Sequence, residues 1–315
     1  MKIYISSWLV AFAVSLIACY CLIPLLKKLK TGQNILKYVK EHKKKEGTPT
    51  MGGLAFIFAA VFSVLLFCRE INRITVVSLT IGVSYLFVGL LDDLLKRKHK
   101  ENLGLKAWQK FAFQTLVAVF AGIFCFRNGI TSLNIPFFNF KIGVGGWMIP
   151  ISVFVFLATV NGVNLTDGLD GLAANASLPF FATFGVLCAF QEQSQLSILA
   201  FAICGALCAY LLFNCSPASV FMGDTGSLSL GGFAACIGIF SGNVLYIAVI
   251  GITFVFSVIS VIMQVIYYKA TGGKRIFLMS PIHHHFQQKG YSEAKISYAY
   301  FSVTLVSGLV CILTL

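Results

Sequence analysis

Long apolar stretches separated by short polar segments account for most of this chain. A helix needs about 20 predominantly apolar residues to cross the hydrocarbon core of a bilayer. The pattern therefore predicts an all-α, polytopic membrane protein with about ten transmembrane helices in a single domain, with nine or eleven as the alternatives. The predicted spans are residues 3–26, 53–68, 76–95, 110–126, 147–163, 172–190, 196–213, 228–241, 244–267 and 296–315 within the single domain 1–315.

The composition agrees with a chain surrounded by lipid. Of the 315 residues, 58% are hydrophobic and 11% are charged, whereas a soluble domain carries about 25% charged residues. So little charge cannot cover a surface that faces water. The ten cysteines are scattered, mostly through apolar runs, without a CxxC pair, which favours packing roles over disulfide bonds or a zinc site. The first apolar run is long enough to span the bilayer and lacks a convincing cleavage site, so it is interpreted as a retained helix.

The positive charges indicate an orientation in the membrane. The net charge is +13, and 19 of the 24 lysines and arginines fall in the loops that follow the first, third and ninth predicted spans or, for Lys110, at the first residue of the next span. Loops rich in lysine and arginine tend to stay in the cytoplasm, so these three loops are predicted to be cytoplasmic and both termini to lie on the outer face. Topology and anionic lipid explain this distribution, which argues against nucleic acid as a partner.

The five aspartates of the chain all lie at or beside predicted cytoplasmic ends of spans. Charged groups at membrane depth are costly, so their presence there indicates a functional site. The alternative is that they only cap helix ends. Asp92 and Asp93 end the apolar run GVSYLFVGLLDD, and adjacent residues of a helix do not share a face. We therefore expect these two carboxylates to have different roles.

Two further segments bring polar oxygens to the same predicted side of the membrane. The sequence NGVNLTDGLDGLA has Asn161, Asn164, Asp167 and Asp170 at every third residue. If it is helical, these side chains lie on one face and could serve Mg²⁺, sugar hydroxyls or a uracil ring. Asp224 lies in FMGDTGSLSLGG, where glycines allow the backbone to approach a ligand closely. Clustered carboxylates predict Mg²⁺, which commonly bridges one or two carboxylates and substrate phosphates.

Basic side chains in the predicted cytoplasmic loops are candidates for contact with phosphate. Lys45, Lys96, Lys100 and Lys110 could neutralise phosphate oxygens, although membrane topology alone also explains lysines there. The histidine triplet His283–His285 lies in the last cytoplasmic loop. Zinc sites usually use spaced ligands, so donation to a phosphate or proton transfer is the favoured interpretation. The sequence has no GxxxxGK[ST] P-loop.

Five motifs are informative in combination: TPTMGG from Thr48, GLLDD from Gly89, NGVNLTDGLDGLA from Asn161, FMGDTGSL from Phe221 and PIHHHF from Pro281. In this order they resemble the phospho-N-acetylmuramoyl-pentapeptide-transferases of peptidoglycan synthesis, a branch of the polyprenyl-phosphate N-acetylhexosamine-1-phosphate transferases. The predicted layout of ten spans with both termini outside matches that family as well. The histidine triplet favours this branch over relatives that use N-acetylglucosamine nucleotides. Gln287 is a departure, since the resemblance leads us to expect a glutamate there.

The resemblance implies roles for individual residues. Asp224 is implied to bind Mg²⁺ with Asp92 and Asp93 close by, and Asp92 to deprotonate or orient a lipid phosphate. These three aspartates and His283 form the implied catalytic set. Phe221 offers a ring on which uracil could stack. The residues implied to line the nucleoside and sugar side are Lys45, Thr50, Asn164, Asp167, Asp170, Phe221 and Gln264. The residues implied to lie near the phosphates are Lys110, Asn214 and His283. His284 is implied to be a further substrate contact.

The implied reaction transfers phospho-N-acetylmuramoyl-pentapeptide from UDP-N-acetylmuramoyl-pentapeptide to undecaprenyl phosphate and releases UMP, at the cytoplasmic face of the bacterial inner membrane. Positioning and charge stabilisation dominate phosphoryl transfer, and a single displacement is favoured over a phospho-aspartyl intermediate. Transfer of N-acetylglucosamine-1-phosphate is the first alternative. A cation-coupled transporter is the second, although it would place carboxylates near mid-span. The oligomeric state stays open, with a homodimer among the options.

Overall fold

The computed structural model describes residues 1–29, 47–68, 70–99, 104–138 and 140–313. These residues are almost entirely helical and include one short antiparallel hairpin, formed by β1 (Ser132–Asn134) and β2 (Lys141–Gly143). The helices are α1 (Lys2–Lys28), α2 (Gly53–Phe67), α3 (Arg73–His99), α4 (Ala107–Arg127), α5 (Met148–Thr166), α6 (Leu172–Phe190), α7 (Ser194–Asn214), α8 (Gly223–Phe240), α9 (Val244–Ile250), α10 (Ile252–Ala270), α11 (Ile282–Gln288) and α12 (Glu293–Leu313).

Eight of the described helices are long and apolar enough to cross a membrane, namely α1, α3, α4, α5, α6, α7, α10 and α12. The prediction of an all-α polytopic membrane protein is confirmed. The second and eighth predicted spans correspond to α2, which has 15 residues, and to α8, which has 18 residues and is rich in glycine and serine. The count of ten spans and the outward position of both termini stay predictions.

The ninth predicted span, residues 244–267, is wrong as a single helix. The chain leaves the helical conformation at Gly251 and forms α9 and α10 on either side of it. A Cβ on Gly251 would lie 2.6 Å from the Ile247 carbonyl oxygen and 3.0 Å from the Phe254 ring, so a larger residue does not fit. The hairpin between α4 and α5 also differs from the purely helical expectation, because three-residue strands are too short to leave a periodic signal.

Helix α8 lies at the centre of the bundle, and every residue from Thr225 to Phe240 is buried. Its glycines let neighbouring helices approach closely. A Cβ on Gly226 would lie 2.8 Å from Gly53 Cα of α2, and one on Gly231 would lie 2.6 Å from Val160 Cα of α5. Small residues at such contacts allow helices to pack tightly in membranes. Because α8 is surrounded by protein, it carries glycine and serine where lipid-facing helices carry large apolar residues.

Large apolar side chains cover the outside of the bundle. Ile17 of α1, Leu116 of α4 and Ile266 of α10 are 63%, 70% and 63% exposed. Such a surface is unfavourable in water and is satisfied by contact with lipid. The outer faces therefore support the assignment of these helices to a membrane.

Candidate active site

Aspartates of α3 and α8 meet where these two helices pack against each other. Asp93 accepts hydrogen bonds from the backbone amides of Asp224 (3.2 Å) and Thr225 (2.9 Å) and from the Thr225 hydroxyl (2.7 Å). The first amides of a helix lack partners within the helix, and a nearby carboxylate stabilises them. Asp93 is 4% exposed. It therefore caps α8 and fixes the position of Asp224.

Two glycines make this close contact possible. Gly223 has a φ of +71°, and a Cβ there would lie 2.5 Å from Asp93 Oδ2 and 2.6 Å from Thr50 Oγ1. A Cβ on Gly89 would overlap the carbonyl group of Asp224. The glycines of these motifs therefore serve the packing of the backbone around the aspartates, and they bring Thr50 beside the centre.

The segment before α2 lies along the segment before α8. The Phe221 amide donates to the Pro49 carbonyl at 2.8 Å, and the Gly52 amide donates to the Phe221 carbonyl at 2.9 Å. This pairing brings the TPTMGG motif against the FMGDTGSL motif. The Phe221 side chain is half-buried. Its stacking with uracil and the contact of Thr50 with substrate stay predictions.

Two lysines and an asparagine converge on the Asp224 carboxylate. Lys96 Nζ lies 3.0 Å and Lys110 Nζ 2.7 Å from Asp224 Oδ2, while Asn164 Nδ2 donates to Oδ1 at 2.7 Å. Lys96 Nζ also lies 2.6 Å from Asp92 Oδ2. The Asp224 side chain is 14% exposed, so this cluster of opposite charges reaches the surface of the bundle. It can offer both carboxylate and ammonium groups to a charged substrate.

The three carboxylates fit a divalent metal ion. One oxygen from each of Asp92, Asp93 and Asp224 lies within 4.8 Å of the others, and a set of oxygen ligands suits Mg²⁺. Both Asp93 oxygens are engaged by the start of α8, which leaves Asp92 and Asp224 as the better ligands. Lys96 Nζ contacts an oxygen of each. A cation bound there would therefore share or displace the Lys96 contacts.

The condition under which four polar residues of NGVNLTDGLDGLA would share one face, that the whole segment is helical, is not met. Helix α5 ends at Thr166, so Asn164 lies on the helix while Asp167 and Asp170 lie in the turn that follows. Gly171 in this turn has a φ of +70°, a conformation that glycine adopts most readily. The motif therefore forms a helix end followed by a tight turn.

The two aspartates of this turn differ in their surroundings. Asp170 is buried; its Oδ2 accepts from the Ala218 amide at 3.0 Å, and its own amide donates to Glu293 Oε2 at 2.9 Å. Asp170 therefore ties together the loops that follow α5 and α7 and the start of α12. Burial, and then the nearby charge of Asp224, raises the pKa of Asp167 to about 8. A carboxyl that keeps its proton near neutral pH can donate a hydrogen bond to a substrate oxygen.

His283 and His284 of α11 lie against the same turn. A Cβ on Gly168 would overlap His283 Nε2 and would lie 3.0 Å from His284 Nε2. His283 is fully buried, and neither of its ring nitrogens has a hydrogen-bond partner among the described residues. Burial, with a smaller effect of His284, lowers the pKa of His283 to about 3, so the ring is neutral at physiological pH. His285 instead accepts the Leu278 amide at 3.1 Å through Nδ1.

Two other predicted substrate residues have structural partners. Gln264 Oε1 accepts the amides of Ile276 and Phe277 at 3.1 and 3.0 Å, and Asn214 Nδ2 donates to the Val220 carbonyl at 2.9 Å. Both side chains are buried and hold loops in place. Lys45 lies outside the described residues. A cavity of about 270 Å³ at the end of α10 is lined by Gln264, Val265, Tyr268, Lys269, Arg275, Met279 and Ser280.

Some residues that complete the site were missed by the sequence analysis. The Thr225 hydroxyl donates to the Asp93 carboxylate that caps α8, and Ser227 Oγ accepts a hydrogen bond from Asn164 Nδ2 at 2.8 Å. Hydroxyl residues in the first turn of a helix are a capping signal, so Thr225 could have been found. Glu293, which accepts the Asp170 amide, is 123 residues away in sequence from its partner. No local pattern identifies such a contact.

Residues 74–242 match the family model described as Glycosyl transferase family 4. Together with the helical membrane fold and the carboxylates paired with lysines, this match defines the class of the protein as a membrane-embedded transferase. Residues 45–57 match signature 1 of the phospho-N-acetylmuramoyl-pentapeptide-transferases. The chain is similar to the protein of that name from Listeria monocytogenes, with 42% identity over 99% of this chain and 98% of the relative. It is also similar to that of Clostridium perfringens, with 44% identity over 94% of each chain. The chain therefore belongs to the phospho-N-acetylmuramoyl-pentapeptide-transferase family, which confirms the predicted family and enzyme class.

Proposed function

We propose that this enzyme transfers phospho-N-acetylmuramoyl-pentapeptide from UDP-N-acetylmuramoyl-pentapeptide to undecaprenyl phosphate, releasing UMP, at the cytoplasmic face of the inner membrane. The observation that carries the proposal is the Asp224 carboxylate held between Lys96 and Lys110 at the end of membrane-embedded helices. A site at the end of the helices lets the polyprenyl tail stay in lipid while the nucleotide arrives from water. The lysines beside the site agree with a cytoplasmic location.

The proposed reaction is a single displacement. An oxygen of undecaprenyl phosphate attacks the phosphorus attached to the sugar, a new P–O bond forms, and the bond from that phosphorus to the bridging oxygen breaks. UMP leaves with the electron pair. A phospho-aspartyl intermediate would need a carboxylate that can attack. Asp92, Asp93 and Asp224 are each engaged by lysines or backbone amides, which favours direct transfer between the substrates.

Lys96 and Lys110 supply the positive charge for the pyrophosphate. Both ammonium groups contact Asp224, and both can exchange this carboxylate for phosphate oxygens when the substrate enters. Mg²⁺ held by Asp224 and Asp92 would neutralise further charge on the pyrophosphate and the departing UMP. Asp92 lies beside Asp224 and is proposed to orient or deprotonate the lipid phosphate. Asp93 acts through α8 and does not need to contact the substrate.

The nucleotide and the sugar are proposed to bind along the cytoplasmic loops. His283 and His284 contact the turn that contains Asp167, and Asn164 contacts Asp224. These contacts support the proposal that one polar surface lies beside the reacting phosphates. The proposed direct contacts are Lys45, Thr50, Asn164, Asp167, Phe221 and His284. Asp170, Asn214 and Gln264 are proposed to hold the loops that carry them, and the fully buried His283 is proposed to support the turn at Gly168.

The test is UMP release by the purified enzyme with undecaprenyl phosphate and Mg²⁺, supplied with either UDP-N-acetylmuramoyl-pentapeptide or UDP-N-acetylglucosamine. We expect metal-dependent release with the muramoyl substrate alone. Release with UDP-N-acetylglucosamine alone would keep the type of reaction and overturn the substrate. Absence of release with both substrates, from protein that unfolds cooperatively on heating, would refute the proposal.

A further inference from the structure

The hairpin formed by β1 and β2 lies at the end of the bundle opposite to the aspartates. Helix α4 begins close to Lys110, which contacts Asp224, and ends at Arg127, shortly before β1. Helix α5 begins shortly after β2 and returns to Asp224 through Asn164. The 21 residues of α4 and the 19 residues of α5 correspond to about 30 Å of helix, which matches the hydrocarbon core of a bilayer. The hairpin therefore lies at the membrane boundary on the far side from the aspartates.

Polar contacts hold the hairpin against the bundle. The Asn134 amide donates to the Gly242 carbonyl at 2.8 Å, and Asn134 Nδ2 donates to Asn243 Oδ1 at 2.7 Å. Asn243 lies in the link from α8 to α9 and is fully buried. At the tip of the hairpin, the Phe137 backbone interacts with the Tyr246 side chain of α9. The hairpin therefore lies across the end of the bundle, at the level of the helix ends.

The connection from β1 to α5 exposes large apolar side chains at this boundary. Five of them are 42–74% exposed and are called the apolar group below: Phe137, Phe138, Phe140, Ile142 and Trp147. Exposed apolar side chains clustered in this way mark contact with a membrane or with another protein. A Cβ on Gly146 would lie 3.8 Å from the ring of Phe126, a half-exposed residue at the end of α4. The lipid-facing surface of α4 therefore continues onto the apolar group at Trp147.

The charges beside the apolar group suit phospholipid. Arg127 and Lys141 are exposed, and no acidic residue occurs in the sequence between Glu101 and Asp167. Basic side chains at a membrane boundary keep their apolar stems in lipid and bring their charge to the headgroups, and tryptophan is favoured at the same depth. A folded protein partner fits less well, because a stable interface takes about 20–30 residues from each side. Lipid is therefore the occupant that matches both the apolar group and its charges.

We propose that the apolar group anchors the enzyme in the membrane leaflet opposite to the candidate active site. The rings of Phe138, Phe140 and Trp147 lie among the upper parts of the acyl chains. Arg127 and Lys141 contact the lipid phosphates. Because polar contacts hold the hairpin to the bundle, this anchor sets the depth of the bundle in the membrane. The inference uses the fold alone and does not depend on the reaction proposed above.

The first test measures which medium surrounds the tip of the hairpin. The full-length enzyme with Trp8→Phe, Trp108→Phe, Trp147→Phe and Phe138→Trp carries its only tryptophan at the tip, and it is studied in lipid nanodiscs, whose two faces are open to solvent. We expect strong quenching of its fluorescence by lipids with a nitroxide near the headgroup, weaker quenching by lipids with a nitroxide at the end of the acyl chain, and little quenching by iodide. Strong quenching by iodide would place the tip in water, and resistance to all three quenchers would mean that a second copy of the chain covers it. Either result would overturn the inference. The enzyme that keeps Trp147 as its only tryptophan is the second reporter, used if the Phe138→Trp variant does not unfold cooperatively.

The second test asks whether the positive charge of Lys141 contributes to the anchor. In the protein with its only tryptophan at position 138, Lys141→Glu should shift quenching from the nitroxide lipids toward iodide, because lipid phosphates attract the lysine and repel the glutamate. Lys289→Glu makes the same change at an exposed position between α11 and α12 and should leave the quenching unchanged. Equal shifts in the two variants, or no shift in Lys141→Glu, would overturn the contact of Lys141 with lipid phosphate. Both tests are independent of UMP release, so a failure of the proposed function is distinguishable from a failure of the anchor.

Discussion

The Thr225 hydroxyl donates to Asp93 Oδ2 at 2.7 Å, and the Thr225 amide donates to the same oxygen at 2.9 Å. Asp93 belongs to α3, whereas Thr225 lies in the first turn of α8, directly after Asp224. This contact couples the position of a buried carboxylate to that of the carboxylate that meets the lysines. Asp93 therefore holds the start of α8 in place.

Thr225→Val is expected to lower both stability and turnover. The substitution keeps the shape of the side chain but removes one donor from the buried Asp93 carboxylate. Losing a hydrogen bond to a charged group costs about 1.5–3 kcal/mol. Thermal unfolding of the purified protein and UMP release measure the two effects. Thr225→Ser keeps the hydroxyl and is the control, and valine and serine variants of equal stability would show that the hydroxyl does not support Asp93.

Gly223→Ala is expected to reduce turnover far more than Gly272→Ala. Both glycines have a positive φ, +71° and +65°, so an alanine costs about 1–2 kcal/mol of backbone strain at either position. Only at position 223 would the new Cβ also meet Asp93 and Thr50, at 2.5 and 2.6 Å; none of the described residues lies within 4 Å of a Cβ at 272. The measurement is the rate of UMP release by each variant, divided by the amount of folded protein. A similar loss of turnover in both variants would mean that activity tolerates a displacement of the aspartates.

The membrane fold and the candidate aspartates could be predicted from the sequence, because span length and the cost of charge in lipid leave strong linear signals. Different roles for Asp92 and Asp93 could also be expected, since neighbours on a helix face apart. The capping of α8 by Asp93 could not be predicted. It joins Asp93 to Asp224, 131 residues apart in sequence, and it depends on the close packing at Gly89 and Gly223.

Glycines have different effects in different apolar segments of this chain. Gly251 divides the predicted ninth span into α9 and α10. Helix α5 ends at Thr166, and the turn that follows reaches Gly171, the residue before α6, so Asp170 does not continue the helix face of Asn164. Gly226, in contrast, lies inside α8, where it allows contact with α2. A glycine in an apolar segment thus marks either a break or a helix contact. Only the surrounding packing distinguishes the two.

The stability of the folded protein is expected to fall as pH decreases from 6.5 toward about 3, in part because of His283. Its pKa is lowered from 6.5 to about 3 in the folded protein, so within this window the unfolded chain binds a proton that the folded chain does not. Stability therefore rises with pH across the window. His283→Asn removes the titrating ring, and the unfolding midpoint should then depend less steeply on pH. An unchanged slope would contradict the neutral, buried state of His283.

Lys110→Gln is expected to lower kcat/KM by about 10²–10³-fold, the usual effect of removing a donor that stabilises charge in a transition state. Lys110 Nζ lies 2.7 Å from Asp224 Oδ2 and 3.5 Å from Asn164 Oδ1. Lys106→Gln is the matched control, because it removes the same charge from an exposed position immediately before the same helix. The rate of UMP release at saturating and limiting UDP-N-acetylmuramoyl-pentapeptide measures both variants.

The dependence of Lys110→Gln on Mg²⁺ tests whether Asp224 is the metal ligand. With one lysine fewer, the Asp224 carboxylate is more available to a cation, so half-maximal activity should require less Mg²⁺ even though the maximum is lower. An equal loss of kcat/KM in Lys106→Gln and Lys110→Gln would instead mean that both lysines only attract the anionic substrate through their charge. A lower maximum with an unchanged Mg²⁺ requirement would show that Lys110 binds phosphate without competing for the metal site, and would move the predicted Mg²⁺ ligand away from Asp224.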